Sequence, residues 1–87
     1  MEFHNYMEDI VLSILDSVLL DIGGVCDCER CKLDITALAL NNLLPKYVVS
    51  HKGRVYTKLA ELEFQFKADV VKEITKAVEV VKKNPQH

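Results

Sequence analysis

Cys26, Cys28 and Cys31 are the only cysteines of the chain, and they fall within six residues as Cys26-Asp27-Cys28-Glu29-Arg30-Cys31. The C-x-C-x-x-C spacing lets three sulfurs converge on one point, which suits a tetrahedral metal better than a disulfide. An odd number leaves one thiol over after any pairing. Zinc bound to three thiolates still needs a fourth ligand. The candidates are His4, His51, His87, a carboxylate or water. His87 is the first choice, because it lies just beyond the helix stop Asn84-Pro85 on a tail with no other evident role; a merely frayed terminus is the plainer reading.

Metal binding needs thiolate rather than thiol. Cys28 and Cys31 are spaced to share one face of the first turn of a helix. That turn also offers unpaired N–H groups and the positive end of the helix dipole. Arg30 adds a cation nearby. A closed four-ligand site has no open position for water, so a structural role is expected and metal catalysis is not. The alternative is a thiol redox switch, in which oxidation expels the metal and pairs two sulfurs.

A second set, Lys46, Tyr47, His51, Lys52, Arg54 and Tyr56, mixes cations with aromatic rings. Arg grips phosphate oxygens and Tyr stacks on bases, so this loop is a candidate site for an anionic dinucleotide. A solvated loop whose tyrosines cover the core is the plainer reading. The histidines and carboxylates form no triad or paired-carboxylate spacing, and no enzyme activity is expected.

These residues must be positioned by a small scaffold. Eighty-seven residues make one domain, 1–87, and a hydrophobic content of 49% argues against disorder. A net charge of −2 gives no electrostatic case for binding DNA. The apolar run Ile10 to Ile22 is too short and too acidic to span a bilayer, and no basic segment precedes it. A cytoplasmic location is therefore expected, where grouped cysteines more often bind metal.

Helical spacing dominates. Phe3, Tyr6, Met7, Ile10, Val11, Ile14, Leu15, Val18, Leu19 and Ile22 predict a first amphipathic helix, ended by Gly23-Gly24. A second is predicted from about Cys28 to Leu44, stopped by Pro45. It carries one stripe through Cys31, Ile35, Leu38, Ala39 and Asn42 and another through Leu33, Ala37, Leu40 and Leu44. The second stripe is the expected contact with another copy of the chain. Lys46 to Ser50 reads as extended, Tyr56 to about Leu62 as a short helix, and Gln65 to Lys83 as a last helix with Phe66, Val70, Ile74, Ala77, Val78 and Val81 inward. The expected fold is all-α, with four to five helices.

The run Cys26-x-Cys28-x-x-Cys31-x-x-Asp34-Ile35-x-Ala37-Leu38-Ala39-Leu40-Asn41, followed by Leu44-Pro45-x-Tyr47-Val48-Val49, resembles the late competence development protein ComFB family. Gly53, Val55-Tyr56 and the ending Asn84-Pro85-x-His87 extend the resemblance over nearly the whole chain. It implies a small cytoplasmic helical protein, zinc-stapled and an intertwined homodimer. In that family's pattern a histidine or cysteine stands where this chain has His87, which strengthens His87 as the fourth ligand. It also implies a competence-associated interaction or regulatory role with an unidentified protein partner. Some relatives resemble receptors for the cyclic dinucleotides c-di-GMP or c-di-AMP.

Overall fold

Asn5 sets the entrance to the fold. Its side-chain oxygen accepts from the Met7 N–H at 3.1 Å, capping the first helix, and from the Lys46 N–H at 2.8 Å. The Tyr6 N–H in turn donates to the Lys46 carbonyl at 2.8 Å. One asparagine thus starts a helix and joins it to a segment 41 residues away. In the computed structural model the described residues are 2–50 and 55–83. Their order is β1 (Glu2–Asn5), α1 (Tyr6–Ile22), α2 (Glu29–Asn41), β2 (Tyr47–Ser50) and α3 (Val55–Lys83).

The expectation of an all-α fold is therefore corrected. Residues 2–5 do not continue the first helix but pair antiparallel with β2, Phe3 opposite Val49 and His4 opposite Val48. The cause is the Asn5 cap, which breaks helical geometry just before Tyr6. The two-residue period of the ribbon divides its side chains. Phe3, Tyr47 and Val49 are exposed on one face, with the Phe3 and Tyr47 rings stacked 4.8 Å apart. Val48 lies on the other face and packs against the core.

The helices number three among the described residues, not four or five. The expected break near Leu62 is absent, and α3 runs unbroken for 29 residues. No Gly or Pro interrupts it, and Leu62, Val70, Ile74, Ala77, Val78 and Val81 keep one buried stripe along its length. At ~1.5 Å per residue it is roughly 43 Å long, comparable to the 40 Å longest extent of the molecule.

α1 buries Tyr6, Met7, Ile10, Val11, Ile14, Leu15, Val18 and Leu19 against α2 and α3. Each fully buried Ile or Val contributes roughly 1.5–3 kcal/mol of transfer free energy. Gly23, at φ 73°, closes α1 with its N–H on the Leu19 carbonyl at 3.1 Å. That left-handed backbone favours glycine. α2 is shorter than expected, ending at Asn41. Asn42 turns its side-chain amide onto the Leu38 carbonyl at 2.9 Å, and Pro45 follows. Cys31, Ile35 and Ala39 of its first stripe are buried. The second stripe faces outward within the protomer: Leu33, Ala37 and Leu44 are exposed and Leu40 is half-buried.

Candidate metal centre

The three cysteines span the passage from the α1–α2 loop into α2. Gly24, also left-handed at φ 67°, swings the chain away from α1. Cys26 stands exposed in the loop, Cys28 caps α2 half-buried, and Cys31 sits in the first turn with its side chain in the core. The α2 entrance is fixed against α1 by an ion pair between Lys32 Nζ and Asp16 Oδ1 at 3.0 Å. Among the described residues no disulfide forms, and the three sulfurs all lie within 4.8 Å of one another.

That spacing fits a metal. Zinc–sulfur bonds of ~2.3 Å at tetrahedral angles place sulfurs about 3.8 Å apart. The thiols need to draw in by about an ångström at most, which side-chain rotation of the exposed Cys26 can supply. The donor set is also soft and anionic, as zinc or another thiophilic metal prefers.

The electrostatics separate Cys28 from Cys31. Cys28 is held below the ordinary thiol range, chiefly by the Cys31 N–H, which donates to its sulfur at 3.4 Å. The Cys26 and Cys31 side chains and the Arg30 N–H add to this. The Arg30 guanidinium donates to Asp34 Oδ2 at 3.4 Å, and it is the Arg30 backbone N–H that acts on Cys28. Backbone dipoles thus do what Arg30 was expected to do. Cys31 moves oppositely, pushed up to about 12 by burial and then by its two sulfur neighbours. The cluster without metal is one thiolate-prone sulfur beside a thiol that holds its proton.

The other sequence candidates are distributed as follows. His4 Nε2 is bonded to Asp9 Oδ2 at 2.7 Å on the ribbon, and it is not gathered with the thiols. Lys46 places its ammonium 4.9 Å from the centre of the Phe66 ring, whereas Tyr47 stacks on Phe3. The two therefore diverge rather than face one ligand. His51, Lys52, Arg54, the Tyr56 side chain and His87 lie outside the described residues. Sequence reasoning missed the Asp16–Lys32 clamp and the double role of Asn5. Glu8, three residues after Asn5, was the available signal for a helix start there.

No described helix is long and apolar enough to cross a membrane. A family model described as "Late competence development protein ComFB" matches residues 4–85. Competence protein ComFB of Bacillus subtilis (strain 168) is 28% identical over 81 residues, which are 93% of this chain and 83% of that protein. The solved structure of the late competence protein ComFB from Bacillus subtilis superposes with a TM-score of 0.80 at 27% identity, covering 98% of this chain and 96% of that one. The match to the family model spans the cysteine cluster and all three described helices: this chain belongs to the late competence development protein ComFB family.

Proposed function

We propose that the chain is a cytoplasmic, non-enzymatic homodimer that serves as an interaction or regulatory protein of competence, built around a structural zinc. The observation that carries the zinc is the convergence of Cys26, Cys28 and Cys31 to within 4.8 Å. His87 is the proposed fourth ligand, completing a closed site. Such a site would tie the α2 entrance to the segment after α3 and stabilise the fold by restricting the unfolded chain. The competence role rests on the names of the relatives in Bacillus subtilis.

The dimer contact is proposed at the outward stripe of α2 and the turn after it, through Leu33, Ala37, Leu40 and Leu44. Leu33 and Leu44 are 58% and 86% exposed in the protomer, and with Ala37 they leave this stripe uncovered. Two measurements test this reading. Chelation should lower the melting temperature of the wild type, and Cys28→Ser should abolish both the metal and that response. Leu40→Glu should convert a dimer to monomer or aggregate by light scattering; an unchanged dimer mass would refute the contact.

A second reading, a cyclic dinucleotide receptor, is supported by one feature. Lys46, Phe66 and Lys72 line a cavity of about 330 Å³ beside the turn that follows α2, together with Asp69 and Glu73. The ring can stack on a base and the lysines can meet a phosphate, while the two carboxylates offset the two cations. Isothermal titration with c-di-GMP and c-di-AMP decides it, and no heat at tens of micromolar would reject it.

A further inference from the structure

α1 and α2 enclose a crevice of about 480 Å³ that no described residue of α3 lines. Leu12 and Leu15 form its α1 wall and Leu33 its α2 wall. A second hollow, of about 330 Å³, shares Asp16, Asp27 and Lys32 with it and continues past Leu20 to Gly24. Together they make a trough along α1, crossed midway by the Asp16–Lys32 ion pair that both hollows share. From Leu12 to Gly24 it runs for roughly 18 Å at ~1.5 Å per residue, about three helical turns.

Its chemistry is uneven. Leu12, Leu20 and Leu33 are 57%, 82% and 58% exposed, three large apolar side chains opening onto one trough. Isolated exposed leucines are ordinary, whereas here Leu12 and Leu33 share one hollow and Leu20 opens onto the next, beyond Asp16, a set interspersed with charge that suits a contact surface. The rim is acidic, with Asp16, Asp27 and Glu29. The single cation, Lys32, is already bound to Asp16 at 3.0 Å and is held charged by Asp16 and Asp27. Its charge is therefore satisfied within the trough, and the Asp27 and Glu29 carboxylates remain to face a partner. This sign excludes nucleic acid and anionic lipid as occupants.

We propose that this trough docks a basic amphipathic helix of a partner protein. Apolar residues on one face of that helix seat among Leu12, Leu20 and Leu33, and its lysines or arginines face Asp27 and Glu29. The match is of both kinds that a helix-in-groove contact requires, an apolar floor for anchors and a rim of opposite charge. Asp27 and Glu29 lie between the cysteines in sequence, so the turn that carries the thiols also shapes this surface. The proposal does not depend on the zinc reading; it shares Leu33 with the proposed dimer stripe, and the molecular mass of the variants separates the two.

The test uses the full chain and a synthetic peptide of about 14 residues, only leucine and lysine at helical spacing, with a leucine–glutamate peptide of the same pattern as control. Fluorescence anisotropy should show saturable binding of the lysine peptide that weakens several-fold between about 0.05 and 0.5 M salt. Two double variants, Leu12→Gln/Leu20→Gln and Asp27→Asn/Glu29→Gln, should each bind about ten-fold more weakly, at unchanged melting temperature and molecular mass. The carboxylate pair keeps the test decisive if the leucine pair fails to fold. Failure of the lysine peptide to saturate would overturn the proposal, as would equal binding of the glutamate peptide or unchanged affinity in the variants. Dissociation of a dimer by Leu12→Gln/Leu20→Gln would assign the trough to a second copy and overturn it as well.

Discussion

Asn5→Ala is the substitution whose effect can be worked most fully from the structure. The Asn5 oxygen takes two backbone donors, Met7 at 3.1 Å and Lys46 at 2.8 Å. Losing a helix N-cap of this type costs about 1 kcal/mol. The Lys46 N–H, half-buried at the turn into β2, loses its acceptor too, and an unsatisfied donor there costs about 1–2 kcal/mol more. The sum, about 2–3 kcal/mol, corresponds to a fall in melting temperature of roughly 8–24 °C for a domain of this size. Asn5→Asp keeps an acceptor oxygen in place and adds a charge that the α1 N-terminus favours, so it should stay within about 1 kcal/mol of wild type. Thermal unfolding followed by circular dichroism at fixed metal content measures both. A melt of Asn5→Ala within about 2 °C of wild type would refute the double role, as would an equal loss in Asn5→Asp.

Other outcomes follow from the thiols and the α1–α2 contact. Without metal, Cys31 is raised from 9.0 to about 12, so the folded state favours its protonated form. That stability is present below about pH 9 and is lost as pH rises through about 12; alkaline unfolding should be steeper for wild type than for Cys31→Ala. The same proton must leave when metal binds, so affinity should rise with pH, up to about ten-fold per unit for each proton displaced, read by competition with a chelating dye. Hydrogen peroxide should oxidise the metal-free protein through Cys28, whose thiol is held below its ordinary range. Two thiols give up two electrons and two protons to form one disulfide, and peroxide becomes two waters. Intact mass and thiol counting should show the loss of two thiols, and Cys28→Ser should slow it. Asp16→Asn breaks a partly exposed ion pair, and its melt should fall far less than that of Asn5→Ala, by about 1 kcal/mol or less.

Much of the fold was legible because burial follows periodicity. The α1 core positions, the extended Tyr47–Ser50 segment, the glycine exit and the inward stripe of α3 all appear where spacing placed them. The errors have a common cause, the priority given to apolar spacing over backbone hydrogen bonding. Phe3 fits the helical period of α1, yet the Asn5 cap ends helix geometry before it and leaves its ring on the ribbon surface. The break imagined near Leu62 had no glycine, proline or cap behind it, only a change in the density of apolar residues. The cysteine cluster was legible from three positions alone. The origin of its electrostatics was not, since whether Arg30 faces sulfur or Asp34 depends on a side-chain turn that sequence does not encode locally.

The central claim is that Cys26, Cys28 and Cys31 hold one metal ion, and that the ion is zinc. Metal analysis of freshly purified, reduced protein, with thiol counting on the same sample, tests it most directly. About one zinc per chain is expected, with the thiols unreactive until the metal is chelated. Metal-free protein with three titratable thiols would contradict it.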